Sequence, residues 1–245
     1  MALNERQDGI MGILKEQKSA TVEELAGIFF VSEATIRRDL NEMKTLGLVE
    51  RSHGGAFLPE NSEEISLFFR MERNAKEKER AATKALPYIP PFKSVFIDSS
   101  STALALAERM DFSFKTVVTN NLQTAISLSK KPNVTLILLG GTLQYNNNAT
   151  SGSWTARQLQ DFSFDLMLCS CASVIDGTAH ERSLEQKEIK RVAFERSQKR
   201  VLIIDHTKFG NHGTYKTHGL TEFDIVATDS FPPPELDDGS IKFVY

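Results

Sequence analysis

Cysteines and long apolar runs are scarce in this 245-residue sequence, and each scarcity excludes a class of protein. The two cysteines, Cys169 and Cys171, lie one residue apart, which gives no disulfide framework and predicts a reducing, cytoplasmic setting. The longest apolar run, residues 134–139, is far shorter than the ~18 residues of a membrane span. The first residues carry acids and no apolar segment, so they do not predict a secretory signal.

An excess of basic charge is also missing. The chain has 29 basic and 32 acidic side chains and a formal net charge of −3, so its total charge does not predict a nucleic-acid partner. Apolar residues make up 40% and charged residues 25%, which is typical of a globular protein. The length predicts one large domain or two smaller ones.

The pattern of apolar residues divides the chain into two regions. Up to Leu58 these residues recur at helical spacing, whereas from about Ser94 short β-branched runs alternate with polar loops and amphipathic segments. An acidic stretch without periodicity lies between them and predicts a linker. We therefore expect a helical domain at residues 1–58, a linker at 59–75, and an α/β domain with a mostly parallel sheet at 76–245.

The first region predicts three helices and a hairpin. The first helix carries apolar residues at i, i+3 and i+4 from Ile10. Thr21 and Glu24 form a capping box that begins the second helix, and Ser32 is the N-cap of the third. Residues 48–58 predict a hairpin with a glycine turn. Two helices joined by a tight turn and followed by a hairpin indicate a winged helix-turn-helix.

The N-terminal part of the third helix of such a motif enters the major groove of DNA. Hydroxyl groups there bind phosphates or bases, and arginine binds a guanine edge or a phosphate with two hydrogen bonds. The candidate DNA-binding residues are Ser32, Glu33, Thr35, Arg37, Arg38, Arg51, His53 and Gly54. The alternative is a helical bundle with solvated arginines, because residues 1–55 carry seven basic and nine acidic side chains. DNA binding requires the acids to lie away from the DNA-facing side.

The second region predicts an open parallel sheet with polar loops after its strands. The expected strands are residues 94–98, 116–119, 134–139, 166–169, 201–205 and 224–228, and the expected helices are 102–109, 122–130 and 184–198. Residues 185–200 predict a charged helix with a solvated face.

Ligands bind beyond the carboxyl ends of parallel strands, and hydroxyls and amides at a helix N-terminus suit a phosphate. Asp98 and Asp205 would accept hydrogen bonds from sugar hydroxyls. The alternative for each loop is helix capping and turn formation.

The segment Val31-Ser-Glu-Ala-Thr-Ile-Arg-Arg-Asp-Leu40, followed by Arg51-Ser-His-Gly-Gly-Ala56, resembles the DNA-binding signature of the DeoR-type bacterial transcription regulators. The resemblance continues through residues 73–78 and the second region, and so covers almost the whole chain. It implies a repressor of sugar-metabolism genes whose C-terminal sensor domain resembles ribose-5-phosphate isomerase and binds a phosphorylated sugar. We expect no catalytic residue, no metal and no cofactor beside this effector.

The resemblance places the effector over the loops that follow the strands. The candidate effector-binding residues are Asp98, Ser99, Ser100, Ser101, Thr102, Thr119, Asn120, Gly140, Gly141, Gly152, Asp205 and Lys208. The family usually has glycine where this chain has Ser100, and residues 169–174 lack a glycine that is common there. Since glycine lets a backbone approach a phosphate closely, the fit of the usual effector stays open.

Three functions remain open. The first is a ligand-responsive repressor that binds double-stranded operator DNA as a homodimer or higher oligomer, because one winged helix covers a single half-site. The second is an isomerase-type enzyme with Asp98 or Asp205 as general base, although an isomerase needs no helix-turn-helix. The third is a DNA-binding protein whose C-terminal domain only oligomerises. The apolar residues expected to be exposed near the C-terminus and to help build an interface between copies are Phe231, Phe243, Val244 and Tyr245.

Overall fold

The computed structural model describes residues 4–46, 48–52, 54–57, 66–210 and 212–245. They form two compact units, Met1–Arg70 and Met71–Tyr245. The helices are α1 Glu5–Gln17, α2 Val22–Phe29, α3 Glu33–Thr45, α4 Leu67–Glu72, α5 Ala75–Ala85, α6 Ser101–Arg109, α7 Leu122–Leu128, α8 Ser153–Gln160 and α9 Leu184–Glu195. The strands are β1 Ser19–Thr21, β2 Glu50–Ser52, β3 Gly55–Phe57, β4 Ser94–Ile97, β5 Thr116–Thr119, β6 Thr135–Leu138, β7 Thr142–Gln144, β8 Ala149–Ser151, β9 Phe164–Cys169, β10 Ser173–Ile175, β11 Thr178–Glu181, β12 Ser197–Ile204, β13 Tyr215–Gly219, β14 Ile225–Thr228 and β15 Phe243–Val244. None of the described helices combines the length and the apolar character needed to span a membrane.

The first unit packs α1, α2 and α3 around one core and adds a small antiparallel sheet in the order β1-β3-β2. The three predicted helices and the hairpin are confirmed. Both predicted caps are present, since Thr21 Oγ1 accepts from the Glu24 amide at 3.1 Å and Ser32 Oγ accepts from the Thr35 amide at 3.2 Å. Strand β1 was not predicted, because three residues are too few to show a period of two.

The segment predicted as a linker, residues 59–75, contains structure where the chain is described. Residues 58–65 lie outside the described residues. Helix α4 follows, and its Leu67 and Phe69 are buried. The charged residues that surround this short apolar run conceal it in the sequence pattern.

A sheet of seven parallel strands forms the centre of the second unit, in the order β15-β14-β12-β9-β4-β5-β6. Alternate residues of each strand enter different cores: Phe96 packs with residues of α8 and α9, and its neighbour Val95 packs with residues of α5 and α6. Helices thus cover both faces, which explains the nearly continuous apolar strands. The predicted α/β architecture with a parallel sheet is confirmed.

The order of the strands changes direction at β4. Strands β5 and β6 are added on one side of β4, whereas β9, β12, β14 and β15 are added on the other. The carboxyl ends of β4 and β9 therefore flank a topological switch point. Open α/β sheets bind their ligands at such a point.

The sequence pattern missed the short elements and misplaced one boundary. Strands β7, β8, β10, β11, β13 and β15 have two to five residues each, too few for a clear alternation. The helix predicted over 184–198 ends at Glu195, and β12 begins at Ser197. The first half of β12 exposes Gln198 and Lys199, so its polar residues resembled a continuation of the charged helix.

Gly55 is sterically required at the junction of β1 and β3. A Cβ atom added there would lie 2.4 Å from the Ala20 carbonyl oxygen. We expect Gly55→Ala to destabilise the first unit by about 1–3 kcal/mol through overpacking. Gly12→Ala is the matched control, since a Cβ added at this position of α1 meets nothing within 4 Å, and it should stabilise the unit by about 1 kcal/mol. Urea unfolding followed by circular dichroism measures both changes, and equal effects of the two substitutions would contradict the prediction.

Candidate functional sites

Helices α2 and α3 of the first unit form a helix-turn-helix. Helix α2 ends at Phe29, Phe30 has a left-handed backbone, and Ser32 is the N-cap of α3. The hydroxyls of Ser32 and Thr35 lie 2.9 Å apart. These two predicted DNA-binding residues therefore also form the cap of the helix.

Helix α3 buries one face and exposes the other. Ile36, Leu40 and Met43 are fully buried in the core of the first unit. The side chains of Arg37 and Arg38 are 52% and 83% exposed. Both predicted arginines are therefore accessible to a large partner such as DNA.

Acidic side chains lie beside these arginines. Glu33 pairs with Arg37 at 2.8 Å, and Glu42 pairs with Arg38 at 3.3 Å. The expected separation of acids from the DNA-facing side is therefore wrong for α3. Exposed pairs of this kind contribute only about 0.3–0.5 kcal/mol each, so phosphates can replace the carboxylates at little cost.

Asp39 is neutralised inside the first unit. The Arg6 guanidinium donates to both carboxylate oxygens, Nε to Oδ2 at 2.5 Å and Nη2 to Oδ1 at 3.2 Å. The Asp39 side chain is only 5% exposed. This bidentate pair joins α1 to α3 and fixes the orientation of α3 within its domain.

The predicted wing residues lie on the β2–β3 hairpin. Arg51 Nη1 lies 3.5 Å from the Arg37 carbonyl oxygen, which brings the hairpin guanidinium next to α3. Gly54 is exposed at the tip of the hairpin. The third predicted wing residue, His53, lies outside the described residues.

Polar residues in the second unit line the carboxyl edge of the parallel sheet. Asp98 follows β4, Asn120 follows β5, Ser170 follows β9 and Asp205 follows β12. These four strands are neighbours in the sheet and lie about 4.8 Å apart. The predicted residues Asp98, Asn120 and Asp205 therefore share one edge.

A buried ammonium group lies at the switch point. Lys190 Nζ on α9 is 2.9 Å from Asp98 Oδ2, and it also contacts the Glu181 carboxylate and the Ser170 carbonyl oxygen. Burial alone lowers the pKa of Lys190, but the Asp98 and Glu181 carboxylates outweigh burial and raise this pKa above its ordinary value. Lys190 is therefore charged, and it neutralises one of the two buried carboxylates.

Asp98 has no acceptor position left for a ligand. Its Oδ1 accepts from the Ser100 amide at 3.0 Å and from the Ser100 hydroxyl. Its Oδ2 accepts from the Ser170 amide at 3.2 Å and from Lys190. The structure thus gives Asp98 a positioning role, which differs from the predicted contact with sugar hydroxyls.

Ser99 and Ser100 of the loop after β4 bond to protein partners. Ser100 Oγ accepts from the Ala103 amide at 3.2 Å as the N-cap of α6. Ser99 Oγ donates to Gln186 Oε1 at 2.6 Å. Ser101 and Thr102 are buried in the first turn of α6.

The predicted glycines hold the loop after β6 against α8. The Gly140 amide donates to Gln158 Oε1 at 3.1 Å, and its carbonyl accepts from Thr155 Oγ1 at 2.8 Å. A Cβ atom added at Gly141 would lie 2.0 Å from Thr155 Oγ1, so only glycine fits. Gly152 is the N-cap of α8. The Gly140 polar groups have protein partners and are not open to an effector in this arrangement.

Thr119 and Asn120 connect β5 to the loops beside it. Thr119 Oγ1 accepts from the Asn121 amide at 3.1 Å, and Asn120 Nδ2 donates to the Thr150 carbonyl oxygen at 2.8 Å. In the turn after β12, Asp205 Oδ1 accepts from the Thr207 amide at 3.1 Å. Lys208 ends the same turn and is partly buried.

Several buried polar atoms have no hydrogen-bond partner among the described residues. They are Asn120 Oδ1, Ser170 Oγ, Ser173 Oγ, Gln186 Nε2, Asp205 Oδ2 and Thr228 Oγ1. Four of these residues end or directly follow β5, β9, β12 and β14, at the carboxyl edge of the sheet. Buried polar atoms are normally paired, so these atoms would suit a ligand with both hydrogen-bond donors and acceptors.

Lys190, Gln186 and Arg182 were not predicted from the sequence. The signal for the first two was present, because Gln186, Ile189, Lys190 and Ala193 share one face of α9 at i, i+3, i+4 and i+7 and are all buried. No sequence pattern indicated Arg182. Burial, followed by the positive charge of Arg73, lowers the pKa of Arg182. A partly buried guanidinium near a second one favours an anion.

The cysteines and histidines give no metal site in the part of the chain that the structure covers. No group of three or more His, Cys, Asp or Glu side chains there could hold a metal ion. Cys169 and Cys171 are buried free thiols, and burial raises the pKa of Cys171 to about 12. Both cysteines are therefore neutral core residues.

Removal of the Lys190 charge should be costly. Lys190→Met leaves Asp98 and Glu181 buried without their cation, so we expect a loss of about 3–5 kcal/mol in the free energy of unfolding at pH 7. Lys187→Met on the same helix is the matched control, with an expected change within about 0.5 kcal/mol. Denaturant unfolding measures both, and similar losses in the two variants would contradict the assigned role.

The raised pKa of Lys190 also predicts a pH dependence with a definite sign. The contribution of Lys190 to stability is complete below the ordinary lysine pKa of 10.5 and is lost as the pH rises through the pKa of the folded state. The difference in stability between wild type and Lys190→Met should therefore be constant around neutral pH and shrink above about pH 10.5. Unfolding curves across this range measure that difference.

Comparison with known proteins identifies both units. A DeoR-like helix-turn-helix domain model matches residues 6–62, and a DeoR C terminal sensor domain model matches residues 73–230. The Glycerol-3-phosphate regulon repressor of Escherichia coli (strain K12) is 34% identical over 235 residues, which cover 95% of this chain and 93% of that protein. The HTH-type transcriptional regulator GolR of Listeria innocua is 34% identical over 229 residues, which cover 92% of this chain and 90% of that protein.

A further relative and one solved structure complete the comparison. The HTH-type transcriptional repressor GlcR of Bacillus subtilis (strain 168) is 29% identical over 236 residues, which cover 95% of this chain and 90% of that protein. A ribose 5-phosphate isomerase A from Methanocaldococcus jannaschii aligns with a TM-score of 0.40 and 10% identity, over 56% of this chain and 55% of that chain. A score this low supports no functional argument.

Proposed function

The chain belongs to the DeoR family of DNA-binding transcription regulators, and on this premise we propose that it represses sugar-metabolism genes until a phosphorylated sugar releases it from its operator. The observation that carries the effector part of this proposal is the set of unpaired, buried polar atoms at the carboxyl edge of the sensor sheet. Two of the relatives support repression, since one is a Glycerol-3-phosphate regulon repressor and the other is the transcriptional repressor GlcR.

In the DNA-bound state, α3 would lie in the major groove. Arg37 and Arg38 would exchange their exposed carboxylate partners for phosphates or guanine edges. Arg51 would contact the backbone from the wing, beside the same helix. The pair of Arg6 with the buried Asp39 would hold α3 in place during this exchange.

The double variant Arg37→Ala, Arg38→Ala tests this interface. Each lost contact should cost about 1–3 kcal/mol of binding free energy, so operator binding at physiological salt should disappear. The fold should persist, because both side chains are exposed. Fluorescence anisotropy measures binding, and Lys44→Ala, at the last turn of the same helix, serves as the control for a general charge effect. Wild-type affinity in the double variant would contradict the interface.

The effector would bind at the carboxyl edge of the sensor sheet. Asn120 Oδ1 and Asp205 Oδ2 would accept from sugar hydroxyls, whereas Gln186 Nε2 would donate to a sugar oxygen. Lys208, at the end of the turn after β12, would supply positive charge to the phosphate, and Arg182 would add to it. Ligand binding would shift DNA affinity by the differential binding energy, typically about 1–3 kcal/mol.

Lys208→Ala tests the phosphate contact. A charge-assisted hydrogen bond contributes about 1.5–3 kcal/mol, so this variant should bind every phosphorylated ligand at least tenfold more weakly. Its DNA affinity without ligand should not change. A thermal-shift screen with hexose phosphates, glycerol 3-phosphate and their unphosphorylated forms finds the ligand, and calorimetry measures it on wild type, Lys208→Ala and the control Lys242→Ala. Equal affinities in all three proteins would contradict the contact.

The proposal includes no enzyme activity. The isomerase alternative loses one candidate base, because all acceptor positions of Asp98 are occupied. Asp205 Oδ2 remains available, so turnover of pentose or hexose phosphates would favour the alternative. A thermal-shift screen without any stabilising ligand would favour a domain that only oligomerises.

We also propose that the protein is a homodimer or higher oligomer in the cytoplasm, where it meets chromosomal DNA. Phe231 and Tyr245 support an interface, since both are exposed and their rings pack 4.6 Å apart. Phe243 is partly buried, and Val244 is buried in β15, so the expectation that both are exposed is wrong. Both residues form β15, which pairs with β14 at the end of the parallel sheet, and this pairing reduces their exposure. Light scattering at micromolar concentration should show at least a dimer, and a strictly monomeric mass would contradict this.

A further inference from the structure

Phe30 is the most exposed large hydrophobic residue in the described part of the chain, with 94% of its surface accessible. It occupies the turn between α2 and α3, two positions before the N-cap Ser32. Its backbone angles, φ 52° and ψ 43°, lie in the left-handed region, which bulky side chains disfavour. The ring is therefore both solvated and placed on an unfavourable backbone.

The core of the first unit does not need this ring. The neighbours Phe29 and Val31 both pack against the core, whereas Phe30 does not. Asparagine adopts the left-handed conformation more readily than phenylalanine, and its polar side chain is well solvated by water. Phe30→Asn should therefore leave the fold as stable as wild type or more stable.

The Phe30 ring lies next to the N-terminal part of α3, the proposed DNA-binding surface. The N-terminal end of the second helix of a helix-turn-helix is nearest to the base edges, and Phe30 lies two residues before the N-cap of that helix. The charged and polar side chains of α3 would supply contacts to phosphates, guanine and adenine. The apolar group that the major groove presents is the C5 methyl of thymine, which phenylalanine contacts well.

We propose that Phe30 contacts the C5 methyl group of a thymine in each operator half-site and so selects thymine at one position. The proposal rests on DNA binding by α3, the proposed function of the first unit. It adds a specificity determinant that is separate from the arginines. Phosphate contacts bind DNA of any sequence, whereas this ring would distinguish thymine from the other bases.

The test uses a duplex that the full-length wild-type protein selects from a random library. Each thymine of this duplex is replaced in turn by deoxyuridine, which removes only the methyl group. Loss of one buried methyl group should weaken wild-type binding about fourfold at one position of each half-site. Phe30→Asn should bind the unmodified duplex about tenfold more weakly and should be indifferent to deoxyuridine at that position. Phe30→Leu, which keeps an apolar side chain, should recover part of the affinity.

Phe114 offers a matched control for the substitution itself. It also has a left-handed backbone, with φ 61°, and is 86% exposed, but it belongs to the sensor unit. Phe114→Asn should change thermal stability in the same direction as Phe30→Asn and leave DNA binding unchanged. A melting temperature of Phe30→Asn at or above that of wild type excludes misfolding as the cause of weaker binding.

Four results would overturn the proposal. In the first, wild type tolerates deoxyuridine at every position of the selected duplex. In the second, Phe30→Asn binds the selected duplex as tightly as wild type. In the third, Phe30→Asn loses affinity equally for an unselected duplex, which indicates a backbone contact. In the fourth, Phe30→Asn changes the oligomeric state, which places the ring between copies of the chain. A wild-type protein that selects no duplex would refute DNA binding itself, and this proposal with it.

Discussion

The ammonium group of Lys190, buried between Asp98 and Glu181, is the interaction on which the sensor unit depends. It joins α9 to the carboxyl ends of β4 and β9 and to β11. Through Asp98 it also orients Ser100, the N-cap of α6. One buried charge thus contacts the loops on both sides of the switch point. Such a pair gives little net stability, but it makes any other arrangement of these loops costly.

The two units use their charges in opposite ways. The pairs on α3 are exposed and weak, so a polyanion can displace the glutamates from Arg37 and Arg38 without a large penalty. At the switch point of the sensor unit the charges of Lys190, Asp98 and Glu181 are buried, and a ligand there must satisfy polar atoms that water reaches poorly. The first arrangement suits reversible binding of DNA, whereas the second suits recognition of one small polar molecule.

The side chain of Ser100 holds the loop after β4 at two points. The serine hydroxyl caps α6 and donates to Asp98, so the loop is held by side chains. A backbone without a side chain can approach a phosphate directly, and this loop cannot do so in the same way. The proposed phosphate contact of Lys208 comes from the turn after β12, away from this loop.

Local pattern alone determined the helix-turn-helix, its caps and the core strands of the parallel sheet, because these depend on neighbouring residues and on apolar periodicity. Thr21 and Ser32 bond to amides three residues away, and the apolar face of α3 follows from spacings of three and four residues. The tertiary structure decided which polar residues are available to a ligand. Asp98 and Gly140 have the right chemistry but are already bound to partners 72 and 18 residues away in sequence, whereas Lys190 is drawn from a charged helix into the core. Contacts between residues so far apart leave no local signal, and they determine burial, charge and free hydrogen-bonding capacity.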